Sequence, residues 1–334
     1  MLFQRLSEAL AARQSLITPE HTQALRLFNG FYEGCPGLVV DLFSSTLLVA
    51  NHARPPDSLE ACQPLVFDFY RQALPWLTCG LLKRRHAAEP ALRRGIIFFG
   101  SQPATEIEEH GVHYALNLTL NQDNSFYLDT RNLRTYLIQN MAGKSVLNCF
   151  AYTGTLGIAA LAGGARYVVQ TDLNKTALAL AQRSYQRNTL SGSMEILPMD
   201  FFKAVAHFKQ RNALFDGVIL DPPLYSSTPQ GTVDLLHNWQ RLINKVRPLV
   251  AHNGLLIVIN NALYLPGSAV MQTLEELQAT GFVQPEQLIP VPEDITGFPQ
   301  TVIDQPPADP SPFNHPTKIA LLRIIRKDGA AATL

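Results

Sequence analysis

The chain has 334 residues, with 27 basic and 27 acidic side chains and a formal net charge of zero. Charged residues make up 16% and hydrophobic ones 46%, which excludes intrinsic disorder, a state that needs low hydrophobicity and high net charge. The balance also excludes the simplest nucleic-acid protein, one coated in Lys and Arg, and the length predicts about two domains.

The opening stretch, MLFQRLSEALAARQ, reads as an amphipathic helix with charges scattered through it. It lacks the apolar core and small-residue cleavage site of a signal peptide. No apolar run approaches the ~18 residues of a membrane span. A cytoplasmic protein, monomer or homodimer, without membrane contact is expected. The cysteines Cys35, Cys62, Cys79 and Cys149 form no C-x-x-C and no zinc spacing with His. They read as reduced, mostly buried thiols, and no metal site is expected.

Residues 1–115 mix short strands and helices and are expected to form a small α+β domain, a candidate for substrate recognition. Leu38–Asp41 and Thr46–Ala50 are β-rich runs separated by a short turn, a hairpin signature. Residues 58–77 carry apolar side chains at helical spacing. Residues 81–95 form a basic stretch. A second hairpin is expected around Gly111, within 106–118.

Residues 116–334 are expected to form the second domain. From about residue 130 the rhythm is strand, helix, strand, helix. A helix is expected over Thr130–Met141, then strands over 144–152, 167–172, 194–200, 215–223 and 254–261. Helices follow them over 174–190, after Asp200, over 234–250 and over 268–281. Two closing strands, about 287–292 and 318–326, have no helix between them. Alternating β and α predicts a parallel sheet with helices on both faces. The closing pair predicts antiparallel pairing at one end. The link 294–317 is long and Pro-rich, as functional or mobile loops are.

In such a sheet, ligands bind beyond the carboxyl ends of the strands. The first strand delivers Asn148, Cys149, Phe150, Ala151, Tyr152, Thr153 and Gly154, with Gly157 three residues on. The two glycines allow a tight turn and close approach of a ligand to the backbone. The helix start behind them favours an anion; a purely structural turn fits as well. The second strand ends in Asp172, 18 residues beyond Gly154, where an acid can hold two ribose hydroxyls. The third ends in Asp200, placed for a purine ring. The fourth ends in Asp221-Pro222-Pro223-Leu224-Tyr225. Each acid alone also fits a helix cap. A nicotinamide dinucleotide needs G-x-G-x-x-G, and the first glycine is absent here. S-adenosylmethionine fits better: amino acid at the Gly154 turn, ribose on Asp172, adenine near Asp200. Leu173, Phe201 and Asp221 complete the expected cofactor shell.

The turn FAYTGTLG, the acid in QTDLNKTAL, the QRNTL helix end and FDGVILDPP resemble class I S-adenosylmethionine-dependent methyltransferases, with a Rossmann-like seven-stranded sheet whose last strand is antiparallel. The nearer resemblance is to bacterial large-subunit rRNA base methyltransferases. These carry a small α/β domain, a β-hairpin and a Q-x-x-G-F-F-x-D-x-R segment before the catalytic domain. Here that segment runs from Gln122 through Asn124, Phe126 and Asp129 to Arg131, followed by Arg134. The resemblance covers about residues 25–334. It implies that Gln122, Phe126 and Arg131 approach the cofactor, the first and last at its amino-acid end; Asp129 also suits the cap of the next helix.

Two departures stand out. The family often carries a PUA module for RNA, for which this chain has no room. Members that methylate cytosine carbon use a cysteine after the fifth strand; here that stretch reads Asn260-Asn261-Ala262-Leu263. Cys149, inside the first strand, reads as a core thiol. Direct transfer to a nitrogen or oxygen, without a covalent intermediate, is what remains, and a base nitrogen of RNA is the expected acceptor. Asp221 and the Pro222 carbonyl would accept the acceptor's N–H groups, with Pro223 shaping the turn. Tyr225 would stack on a flipped base or cover the cofactor; Leu224 stands where related enzymes place the aromatic. Lys83, Arg84, Arg85, Arg93 and Arg94 form the best candidate RNA-phosphate patch, a solvated charged face being the alternative. A small-molecule or protein methyltransferase, and a cofactor-fold binding protein without chemistry, are the competing functions.

Overall fold

The computed structural model describes residues 1–334, apart from the side chain of Pro56. The chain divides into two compact units, Met1–Asp129 with Pro292–Pro306, and Thr130–Val291 with Pro307–Leu334. The first unit thus runs past residue 115 and also takes back part of the Pro-rich link.

In the first unit, α1 (Leu2–Arg13) precedes β1 (Ala24–Asn29), the short α2 (Gly30–Glu33), β2 (Leu38–Phe43) and β3 (Thr46–Asn51). Then come α3 (Gln63–Ala73), β4 (Cys79–Arg84), α4 (Pro90–Arg94) and β5 (Ile96–Phe99). The strands pair in chain order, antiparallel except where α3 carries the chain across from β3 to β4. Leu6, Ala9 and Leu10 of α1, spaced for one helical face, pack with Val66, Phe67 and Tyr70 of α3 around Leu25, Val40, Leu47 and Leu82. A separate hairpin, β6 (Glu106–Glu109) and β7 (Val112–Ala115), turns at His110-Gly111, both with positive φ.

Buried polar contacts explain why 292–306 returns here. Arg13 and Glu33 form an ion pair at 2.9 Å with almost no exposure. Thr301 Oγ1 donates to the same carboxylate at 2.5 Å, and Arg13 also donates to the Asp294 carbonyl at 2.9 Å. The Asp294 carboxylate accepts from the Arg26 N–H, and Asn29 Nδ2 donates to the Ile295 carbonyl. Deleting one partner of such a buried pair costs about 3–5 kcal/mol, so this half of the link is fixed.

The second unit opens with α5 (Arg131–Asn140). Next come β8 (Ser145–Cys149), α6 (Thr155–Ala162), β9 (Tyr167–Thr171), α7 (Lys175–Arg187), β10 (Ser193–Leu197), α8 (Phe201–Gln210) and β11 (Phe215–Leu220). A hairpin follows, β12 (Tyr225–Thr228) and β13 (Gly231–Asp234), and then α9 (Trp239–Val246), β14 (Val250–Asn260), α10 (Gly267–Ala279), β15 (Val283–Ile289) and β16 (Lys318–Ile324). The seven-stranded sheet runs β10-β9-β8-β11-β14-β16-β15. Only β16 is antiparallel to its neighbours. This is a Rossmann-like α/β sheet whose last strand runs antiparallel, as the closing pair without a crossover helix predicts.

Two readings need correction. The expected helix over 234–250 begins only at Trp239, because Tyr225–Asp234 form the hairpin. Tyr225, Thr228, Thr232 and Val233 around the Pro229-Gln230-Gly231 turn are strand formers, a signal masked by the neighbouring helical spacing. The basic stretch begins as β4, in which Leu81, Leu82 and Lys83 are all buried.

Candidate active site

Pairing aligns Leu197, Thr171, Cys149, Leu220 and Val258 in one row across five parallel strands. The residues that follow them leave the same edge, each about 4.8 Å from the next at its base. Phe150 therefore emerges between Asp172 and Asp221.

The first turn is shaped by backbone. Phe150, Tyr152 and Gly154 all have positive φ, at 57°, 50° and 74°. Two non-glycine residues in this region store strain of the kind found at ligand sites. Ala151, buried, still pairs with β9 through its N–H and the Thr171 carbonyl. Thr153 is also buried. No side chain caps α6. The glycines serve packing as well as turning. A Cβ on Gly154 would meet Ala181 Cβ at 2.4 Å, and one on Gly157 would meet Gln170 Nε2 at 2.3 Å. Their bareness admits these neighbouring side chains. Gln170 Nε2 donates to the Gly154 carbonyl, and its Oε1 accepts from Asn148 Nδ2. Asn148 Oδ1 is buried and without a hydrogen-bond partner, an acceptor in want of a donor.

Asp172 ties the second turn to the first. Its Oδ2 accepts from the Tyr152 N–H and its Oδ1 from the Asn174 N–H, both at 2.8 Å. The group stays partly exposed, and each oxygen keeps a second lone pair. Leu173 beside it is exposed.

Asp200 is employed differently. Its Oδ1 accepts from the Phe202 and Lys203 N–H groups, making it the N-cap of α8. Its Oδ2 accepts from Thr228 Oγ1 at 2.9 Å, which pins the hairpin tip. With 6% exposure, this carboxylate acts as a cap, the alternative reading of the strand-end acids. Phe201, next to it, stacks on Phe150 with centroids 4.8 Å apart.

Asp221 is partly exposed, Pro222 buried and Pro223 exposed, while Leu224 and Tyr225 stand out on the hairpin. Cys149 is fully buried, and burial pushes its thiol up, away from the thiolate a nucleophile needs.

The segment 122–131 spans the boundary between the units. Arg131 opens α5 in the second unit and is partly exposed. Thr130, rather than Asp129, is the residue at the N-cap of that helix. Gln122 and Phe126 belong to the first unit. There Phe126 is buried, tilted against Tyr114, and so faces its own core.

The expected phosphate patch is largely turned inward. Lys83 is wholly buried at the end of β4 and donates to the carbonyls of Asn121, Gln122 and Asp123 at 3.2, 3.4 and 2.7 Å. Burial pushes its ammonium down to about 7. Arg85 donates to the Gln122 carbonyl and pairs with Asp123, Arg84 pairs with Glu60, and Arg93 holds the carbonyls of Ala87 and Ala88. Arg94 is exposed.

Comparison with known proteins gives the family. A family model described as S-adenosylmethionine-dependent methyltransferase matches residues 82–300. The chain belongs to that family. A relative in Aeromonas salmonicida named ribosomal RNA large subunit methyltransferase I is 29% identical over 76% of this chain and 64% of its own length. This methyltransferase chain therefore spans slightly less than two thirds of that relative. A solved structure titled "a putative sam-dependent methyltransferase" from Streptococcus mutans superposes with a TM-score of 0.80 at 22% identity, over 96% of this chain and 80% of that one. The Methanocaldococcus jannaschii tRNA m1G37 methyltransferase superposes at 0.58 with 13% identity, over 97% and 79%. At those identities the likeness is one of fold.

The residues present fit the family's cofactor. An uncapped helix start, an unsatisfied buried acceptor on Asn148 and a half-open Asp172 lie around one turn. Among the described residues, no helix is long and apolar enough to cross a membrane.

Proposed function

We propose that the chain transfers a methyl group from S-adenosylmethionine to a nitrogen of an RNA base, in large-subunit rRNA. The observation that carries the reading is the shared edge at which Asp172 and Asp221 emerge on either side of the strained Phe150–Gly154 turn.

The α6 start receives the carboxylate of the amino-acid moiety. Asn148 Oδ1 and the Tyr152–Thr153 backbone take its ammonium end, with Arg131 as a further candidate. Asp172 holds the ribose hydroxyls with its remaining lone pairs. Leu173, Ala151, Phe150 and Phe201 bracket the adenine beside the Asp200 cap. When bound, S-adenosylmethionine supplies an electrophilic methyl on a sulfonium centre. Asp221 and the Pro222 carbonyl accept N–H groups of the acceptor, which orients a ring or amino nitrogen. Asp221 also takes up the proton that an amino acceptor releases. Positioning supplies most of the rate, since the donor is already activated. The buried Cys149 thiol plays no part.

The names of the relatives favour rRNA as the substrate. The first unit, 1–129 with 292–306, is assigned to substrate recognition, with Arg94 the one member of the basic run turned outward. The test has two steps. Calorimetry should show S-adenosylhomocysteine binding. Tritiated methyl label should then enter RNA rather than protein or small-metabolite fractions from a strain lacking the gene. Label confined to protein or metabolites would shift the assignment to those substrates.

A further inference from the structure

The second large aromatic at the acceptor edge is Tyr264, 74% exposed on the turn after β14; Tyr225, 64% exposed, stands on the hairpin after β11. The two strands are neighbours, with Leu220 opposite Val258. Their turns leave the same edge, one strand spacing or roughly 4.8 Å apart at the base. Leu224 and Leu263, the residues before the two tyrosines, are exposed too. Two turns on neighbouring strands thus each carry an exposed leucine–tyrosine pair, at the edge from which Asp221 also emerges.

Both turns are tied to one buried post. Asn260, fully buried, accepts from the Ala262 N–H at 3.0 Å and donates Nδ2 to the Leu235 carbonyl at 3.4 Å. The first bond sets the Tyr264 turn. The second sets the base of the Tyr225 hairpin, where the Leu235 N–H reaches the Leu224 carbonyl at 3.0 Å. Buried Lys318 adds bonds to the carbonyls of Ala262 and Pro316, at 3.0 and 2.7 Å. The Leu265 N–H closes on the Ala262 carbonyl as well. The far end of the hairpin is held by Thr228 on Asp200. With the backbone of both turns fixed, ordering their side chains on a ligand costs less entropy, the condition for a preorganised contact.

We propose that Tyr264 is a substrate-binding contact of the acceptor, a ring face on which a planar nucleobase rests while Asp221 holds its N–H. Asn260 and Lys318 are positioning residues that fix this turn relative to Tyr225. The inference rests on the reading of the chain as an RNA base methyltransferase. An aromatic face suits any base, because each has a π-face, and the neighbouring carboxylate selects a base edge that donates.

The test uses the purified full chain and large-subunit rRNA from a strain lacking the gene. Tyr264→Ala should raise the KM for RNA about tenfold, the order expected for one lost base stack. It should leave kcat and S-adenosylhomocysteine affinity close to wild type. RNA binding by fluorescence anisotropy, without cofactor, should weaken by a similar factor. Tyr264→Phe should restore both readouts, and Tyr264→Leu, apolar but not flat, should not. Unchanged KM and binding in Tyr264→Ala, or a Phe variant as impaired as Ala, would overturn the inference while leaving the methyltransferase reading intact. A wild-type chain that labels protein and no RNA would overturn both.

Discussion

Lys83 and Asp172 are both charged groups at the end of a strand, and the two units use them in opposite ways. Lys83 turns into its unit and spends its protons on three carbonyls of the 121–123 loop. Asp172 accepts two backbone N–H groups and keeps a partly exposed face. The same contrast holds for their surroundings. Arg84, Arg85 and Arg93 are engaged within the first unit, whereas the edge from Asp172 to Tyr264 presents Leu173, Leu224, Tyr225, Leu263 and Tyr264 to solvent. A charge cluster in sequence thus reads as a ligand site only once its hydrogen-bond capacity is counted. The zero net charge leaves no excess for a broad basic face, and the basic run of the first unit is largely engaged within it.

The contrast can be broken from either side. The largest effect is expected at Asp221: Asp221→Ala should lower kcat by about 10²–10³-fold, the scale for losing a preorganised polar contact, while S-adenosylhomocysteine titrations stay near wild type. Equal loss of both would move Asp221 into cofactor binding. Next comes Asp172→Ala. Removing charge-assisted bonds to two hydroxyls should weaken cofactor affinity by about 2–3 kcal/mol, near 100-fold, as read by calorimetry. An affinity within twofold of wild type would make Asp172 a mere tie between two turns.

The first unit should respond in stability rather than binding. Lys83→Met leaves three carbonyls without their donor and should cost about 1–3 kcal/mol, visible as a lower Tm, with S-adenosylhomocysteine affinity unchanged. If Lys83→Met instead folds as well as wild type but loses RNA affinity, the group is a phosphate contact after all. The smallest effect belongs to Arg94→Gln. One exposed phosphate contact should change RNA affinity by only a few-fold and flatten its salt dependence by about one unit of slope.

Much of the second unit is legible in the sequence, because each strand and helix there carries its own period and the strand-end residues follow from it. Asp172 is found by its spacing from Gly154, and the antiparallel β16 by the missing crossover helix. The hairpin Tyr225–Asp234 is not legible, since four-residue strands carry too little alternation to outweigh the helical pattern that follows. Asp200 shows the limit of residue type: an acid at a strand end and an acid at a helix start are the same letter, and only the Phe202 and Lys203 N–H groups decide between them. The burial of Lys83 is not legible, because the backbone carbonyls it donates to lie about 40 positions away in the chain. Asn260 and Lys318 carried no motif. Their role comes from pairing opposite each other at the end of β14, a long-range register that one sequence does not display.

The most direct test of the account is nucleoside mass spectrometry of large-subunit rRNA from a strain lacking the gene, after incubation with S-adenosylmethionine and purified chain. The account predicts one base gaining a methyl group on nitrogen with the wild type and none with Asp221→Ala. A methyl group on a pyrimidine carbon, or label transferred equally well by Asp221→Ala, would contradict it.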